Sequence, residues 1–320
     1  MNIEIITMQN TCSNESALAK EKSYTNVLEA VKKAGYDVAL SICNTQTDLT
    51  DIVKRKPDLL ILDIQSLITE DGSTVLLSDF FTDNNINFSG SSKEALLFGS
   101  NKALAKSYLE DKGIRTPRYF TAVPGEYKRD YDIPINYPLF LQPLSSATIP
   151  HKEILPFVNN FNEFETRVCD LYALSKTPTL VEEYLDGRDF KVSIIKAEDE
   201  NMLVSSIEII TLKSEKNMMN INKEIKTDIK SKTIPIEDKF IKNKVENLAI
   251  DAYIDLDIRD YGEINIKMNT NGQCFFMQVN LSPEITNTTS SFLQVFTDEH
   301  KLSYENLVKI IVDEGLSRVS

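Results

Sequence analysis

The side chains best placed to do chemistry sit together in one stretch, Asp260-Tyr-Gly-Glu-Ile-Asn-Ile-Lys-Met-Asn-Thr-Asn-Gly-Gln-Cys-Phe-Phe-Met-Gln-Val-Asn280. It reads as two strands around a tight turn. Asn271-Gly272 is a strong signal for a two-residue type I′ hairpin, which needs positive φ at both central residues. Thr270 then pairs with Gln273, which puts Asn265 opposite Gln278 and Glu263 opposite Asn280. The strand period of two collects Glu263, Asn265, Lys267, Phe276, Gln278 and Asn280 on one face. Ile264, Ile266, Met268, Phe275, Met277 and Val279 form the other, apolar face. The polar face is built to present something. Asn265 and Gln278 can satisfy each other through amide hydrogen bonds, and Glu263 and Lys267 can pair or each find solvent.

The elements that must position this hairpin begin with an alternating N-terminal unit, residues 1–92. Ile3 to Met8 is strand-like, and Ala17, Leu18, Tyr24, Val27, Leu28 and Val31 mark a helix face that Gly35 can end. Val38 to Ile42 is a second strand, and Asp58 to Asp63 is an apolar run of the buried parallel kind. A helix around Val75 to Phe81 and a short strand at Asn87-Phe88 complete a β-α-β-α rhythm. That rhythm predicts an open parallel sheet covered on both faces, with ligands beyond the carboxyl ends of its strands. The first crossover, Met8 to Glu15, has no glycine, which argues against a backbone phosphate cradle there.

A serine-capped helix is expected from Lys93 to Lys112, closed by Gly113. Strands follow at Pro138–Pro143, Pro178–Gly187, Arg188–Lys196 and Leu203–Thr211, with a helix from Phe161 to Ser175. Residues 213–235 carry six lysines (213, 216, 223, 226, 230, 232) against three acids (215, 224, 228) and lack clean periodicity. They fit a solvated loop somewhat better than a phosphate-gripping lid. Helices at Asp238–Leu256 and Tyr304–Asp313 flank the hairpin.

With 320 residues there is length for two or three domains, and a net charge of −13 argues against general binding to nucleic acid or an anionic membrane. Cys12, Cys43, Cys169 and Cys274 are scattered, without a CxxC pair, and read as reduced thiols of a cytoplasmic protein. No segment approaches the ~18 apolar residues a membrane span requires.

Several stretches, in order and at matching spacing, resemble the ATP-grasp superfamily and most closely its D-alanine–D-alanine ligase branch. They are Asn87-Phe-Ser-Gly-Ser-Ser-Lys-Glu-Ala, Asn101-Lys-Ala-Leu-Ala-Lys with Gly113-Ile-Arg-Thr-Pro117, Val181-Glu-Glu-Tyr-Leu-Asp-Gly-Arg-Asp-Phe190, and the hairpin with Ser282-Pro283. The resemblance implies a fold of mixed α/β and α+β class: a Rossmann-like preATP-grasp domain (1–92), a central small domain (93–178), and a C-terminal ATP-grasp domain (179–320) with residues 213–235 as its lid. ATP would lie between the last two. It further implies that Lys102 is a phosphate-binding lysine. Glu182, Glu183, Tyr184 and Leu185 become the adenine-holding strand, with Asp189 at the ribose and Asn280 in the metal motif.

Other positions depart from the family's pattern. Gln142 stands for its second phosphate-binding lysine, and Leu144 to Pro150 replaces a glycine-rich phosphate loop. Asn265 and Gln278 stand where the metal carboxylates belong, Glu263 where an oxyanion-stabilising arginine belongs, and Glu284 where a glycine belongs. Glu15 is the candidate for the N-terminal catalytic glutamate. Magnesium prefers carboxylate oxygens, and each lost preorganised donor typically costs ~3–4 kcal/mol of transition-state stabilisation. The reading is therefore a ligase-like protein with an eroded magnesium and phosphate site, weakly active or non-catalytic, acting by binding nucleotide or a protein partner. Two alternatives stand beside it: an active ATP-dependent carboxylate–amine ligase taking an amino-acid-like substrate, and a nucleotide-free interaction subunit. The resemblance also suggests a homodimer, and the eroded-site reading admits a heterodimer with an active ligase.

Overall fold

The computed structural model describes residues 1–8, 24–69, 72–145, 156–197, 201–211 and 231–318. Glu15, Cys12, residues 146–150 and most of the 213–235 stretch lie outside them. The N-terminal strands β1 (Asn2–Thr7), β2 (Asp37–Ile42) and β3 (Leu59–Leu62) pair in parallel in the order β2-β1-β3, and Phe88 bridges in parallel to Leu60. Helix α1 (Thr25–Lys33) lies on one face. Helix α2 (Gln46–Arg55), a two-stranded hairpin of β4 (Ser66–Ile68) and β5 (Thr74–Leu76), and α3 (Leu77–Asp83) lie on the other. The sequence reading missed α2 and the hairpin, although Thr45 and Asp48 form a reciprocal capping box at the start of α2.

The single helix expected over 93–112 is two, α4 (Lys93–Ser100) and α5 (Lys102–Asp111). Asn101 breaks the run: its backbone is extended, it bridges to Ser145, and its side chain accepts from the Leu104 N–H to cap α5. Both helices pack on the C-terminal sheet described below, through Ala95, Ala105 and Leu109. The central sheet contains β6 (Tyr119–Ala122), β7 (Leu139–Pro143), β8 (Phe157–Val158) and β9 (Thr179–Glu183), ordered β6-β9-β7-β8 and backed by α6 (Phe161–Ser175).

The C-terminal sheet runs β12-β11-β10-β13-β14, all antiparallel, from β10 (Gly187–Lys196), β11 (Met202–Thr211), β12 (Ser231–Pro235), β13 (Tyr261–Asn269) and β14 (Cys274–Asn280). Helix α7 (Lys239–Asp255) covers its apolar face. Gly187 lets β10 approach β13 closely, since with φ of +141° a Cβ there would stand 2.0 Å from the Met268 carbonyl oxygen. Helices α8 (Ser291–His300), unforeseen from sequence, and α9 (Tyr304–Ser317) close back on the N-terminal sheet. Phe292, Phe296, Leu307 and Ile311 share a core with Ile3 and Ile5.

The hairpin departs from its expected register near the turn. Asn269, not Thr270, pairs across to Gln273, giving a three-residue loop in which Gly272 (φ +72°) holds the left-handed position. Further down, Ile266 faces Phe276 while Asn265 faces Gln278, so Met277 is an extra, bulged residue. The two irregularities cancel. Glu263–Asn280 and Asn265–Gln278 therefore stand opposite each other as expected, whereas Phe276 and Cys274 turn into the core in place of Phe275 and Met277.

Candidate functional site

The polar face of the hairpin looks into a cavity of about 460 Å³. Glu263, Asn265, Gln278 and Asn280 form one wall, and Lys102, at the first turn of α5, stands among the other lining residues. A second cavity of about 290 Å³ adjoins it through shared residues Gln65, Leu96 and Leu281. This one is lined by Asp63, Ser282 and Glu284, without a cationic side chain among the described residues. Asp63 is held by the hydroxyls of Thr7, Tyr24 and Thr286.

The pairings on the hairpin face are not those expected. Asn265 and Gln278 are cross-strand neighbours, yet Asn265 Oδ1 is buried with no hydrogen-bond partner among the described residues. Glu263 does not pair with Lys267. Its carboxylate lies 2.9 Å from Nζ of Lys191 on β10, and Lys267 instead donates to both oxygens of Asp189, at 2.9 Å each. Asp189, the expected ribose ligand, is thus engaged by an ammonium.

A second cluster lies where β7, β9 and α5 meet. Lys106 and Glu182 are both fully buried, with Nζ 2.8 Å from Oε1; the other carboxylate oxygen accepts from Gln142 Nε2 at 2.6 Å. Lys106 also reaches the Phe276 carbonyl at 3.4 Å and lies over that ring, tying the central sheet to β14. Lys102 donates to the Pro143 carbonyl at 3.1 Å. A lysine at 142 would place a third ammonium around one buried carboxylate; glutamine donates without adding charge. Glu183 and Tyr184 stand apart from this cluster. Glu183 is bound by the Arg118 backbone N–H and guanidinium, and Tyr184 packs edge-on against Phe157. Leu185, next along, is half-buried.

Two side chains that sequence reasoning passed over therefore hold central places. Lys106 follows Lys102 by one helical turn, an i,i+4 spacing that was visible. Lys191 had no such signal, because it reaches the site only through the β10–β13 register.

The D-ala D-ala ligase C-terminus family matches residues 117–313, well over half the chain. The chain belongs to the D-Ala–D-Ala ligase family. Among similar proteins, the D-alanine–D-alanine ligase of Aquifex aeolicus is 22% identical over 82% of this chain and 84% of its own, and D-alanine–D-alanine ligase B of Clostridium perfringens is 22% identical over 99% of each. Solved structures agree on the fold. The Bacillus anthracis D-alanine–D-alanine ligase complexed with ATP superposes with a TM-score of 0.74 at 18% identity, covering 99% of this chain and 98% of that one. The VanG D-Ala:D-Ser ligase of Enterococcus faecalis gives 0.73 at 15% identity, covering 98% and 99%. The mixed α/β and α+β, ATP-grasp architecture expected from the sequence is therefore the architecture of this D-Ala–D-Ala ligase family member. No helix among the described residues is long and apolar enough to cross a membrane.

The resemblance brings with it a magnesium ion on the hairpin face, and the donors there can be weighed against that ion. Asn265, Gln278 and Asn280 are neutral amides, and Glu263 is committed to Lys191. Among the described residues no three His, Cys, Asp or Glu side chains converge on a point that could hold a metal. A hard divalent cation is poorly served by such a set.

Lys102 gives the larger cavity a pH signature. Burial, with Lys106 adding to it and Glu182 opposing, pushes its ammonium down to about 8. An anionic ligand held by Lys102 should therefore bind about tenfold more weakly at pH 9 than at pH 7, because the free protein loses that charge across the interval. Stability runs the other way. Between about 8 and the ordinary lysine value the unfolded chain holds the extra proton, so this group adds stability as pH rises. Calorimetric titration at the two pH values checks the first statement; equal affinities would contradict it.

Proposed function

We propose that this chain is a D-Ala–D-Ala ligase-like ATP-grasp protein that keeps a cleft for nucleotide and carries little or no ligase chemistry. One observation carries the reading: the face where the resemblance puts the metal offers three amides and a carboxylate already neutralised by Lys191. In this reading Lys102 and Gln142 face the phosphates, Glu182 to Leu185 the adenine and Asp189 the ribose. Asn265, Gln278 and Asn280 are the former metal positions, and Glu263 and Glu15 stand in for catalytic groups. The division into 1–92, 93–178 and 179–320 belongs to the same proposal, with β9 pairing into the central sheet. So do the cytoplasmic location and a role in a homodimer or beside an active ligase.

Differential scanning fluorimetry with ATP tests it. Ligand at 100 times its Kd stabilises by about 2.7 kcal/mol. The expected result is a shift with ATP that is indifferent to magnesium, and no ADP release across a panel of amino acids. No shift at millimolar ATP would remove the nucleotide cleft, and amino-acid-dependent ADP release would make the protein an enzyme. The second reading, an active carboxylate–amine ligase, draws support from the two adjoining cavities, which would let two ligands meet.

A further inference from the structure

Lys191 occupies an unusual position. It lies in the middle of β10, the central strand of the five-stranded sheet, directly opposite Asn265 on β13. Its side chain is only 21% exposed and lines the larger cavity. A lysine there has given up much of its hydration, and its one carboxylate partner among the described residues, Glu263, takes a single contact at 2.9 Å. An ammonium carries three donors. Neighbouring residues on this face do not compete for the charge, since Asp189 is bound by Lys267 and Asn265, Gln278 and Asn280 are neutral. Lys102 adds a second ammonium to the cavity lining. Among the described residues Glu263 is the one acid in that lining, so their side chains give the cavity an excess of positive charge among amide groups able to donate to oxygen.

We propose that Lys191 is a resident cation that takes the place of a divalent metal, so that the cavity binds the polyphosphate of a nucleotide in the absence of any metal ion. The inference rests on the nucleotide-cleft reading above and goes further by naming the group that supplies the charge. Lys191 and Lys102 hold the phosphate oxygens, the amides of Asn265 and Gln278 complete the donor set, and Glu263 aims the Lys191 ammonium. It also predicts that restoring carboxylates alone is insufficient. A new aspartate at 265, directly across from Lys191, pairs with that ammonium before it can hold a metal.

Isothermal titration of the full chain with ATP, in EDTA and then in magnesium, tests this. Wild type should bind with the same affinity in both. The paired variant Lys191→Gln with Glu263→Gln removes the cation and leaves no orphaned carboxylate. It should lose roughly tenfold or more in EDTA, the worth of a charge-assisted contact, while its melting temperature shows that it is folded. Lys191→Arg should retain binding. Asn265→Asp with Gln278→Glu should stay indifferent to magnesium, and only the further change Lys191→Ser should create a magnesium requirement.

Three results overturn the proposal while leaving the nucleotide cleft standing: wild type that needs magnesium to bind ATP, a paired variant that binds like wild type in EDTA, or a magnesium requirement in the aspartate–glutamate variant with Lys191 intact. Absence of ATP binding by wild type under both conditions overturns the cleft and the proposal together.

Discussion

Replacing Lys106 by methionine is expected to lower the stability of the protein by about 3–5 kcal/mol, the range for breaking a buried ion pair by removing one partner. Neither Lys106 nor Glu182 has any exposed side-chain surface, so the remaining carboxylate would keep Gln142 as its hydrogen-bond donor and feel the Lys102 ammonium without a direct contact. Methionine fills nearly the same volume, so the loss reports charge and not a cavity. The double variant Lys106→Met with Glu182→Leu should recover a large part of the loss, because two apolar groups of similar size replace a pair whose desolvation was costly. Recovery stays partial, since Gln142 Nε2 then loses its acceptor. The chain has no tryptophan, so urea unfolding is best followed by circular dichroism. A single variant within 1 kcal/mol of wild type would mean that the pair is hydrated in solution.

The hairpin shows what a sequence can and cannot disclose. Alternation of apolar and polar residues located the two strands, and the pairs Glu263–Asn280 and Asn265–Gln278 were legible. Which way Phe275 and Phe276 point was not. The side-chain period is two, so one extra residue at Met277 reverses every side chain between it and the turn. Asn271-Gly272 is compatible with loops of two or three residues, and the choice is made by how the strands pack. Local signals recovered the helix over 161–175, the sheet-forming runs and the serine cap at Ser92. They gave no hint that α9 packs on the N-terminal sheet, because that contact joins opposite ends of the chain. Lys191 was hidden for the same reason. Its neighbours at 263 and 265 are set by the β10–β13 register, and a lysine in a strand otherwise reads as a solvated edge.

Changing Asp260 to alanine should be about as damaging as the loss of Lys106, at about 3–5 kcal/mol, and for a different mechanical reason. Asp260 is fully buried at the entry to β13. Its carboxylate accepts from the Gly90 N–H at 2.7 Å and from both terminal nitrogens of Arg318, and Arg318 and Arg259 also donate to the Phe88 carbonyl. One side chain thus joins the end of the N-terminal sheet, the C-terminal helix and the strand that carries Glu263 and Asn265. Its backbone is also left-handed, with φ of +61°, a conformation that aspartate and asparagine accept and alanine resists. Asparagine at 260 separates the two contributions, because it keeps the backbone preference and an acceptor for Gly90 while removing the charge. If charge dominates, Asp260→Asn should lose most of what Asp260→Ala loses, and Arg318→Gln should couple strongly to both in a double-mutant cycle. If backbone geometry dominates, Asp260→Asn should stay near wild type and the coupling should vanish. With a buried carboxylate and three donors converging on it, the expected result is the first. In that case the anchor holds the cavity wall in place by electrostatics, and weakening it should reduce ligand affinity in parallel with stability.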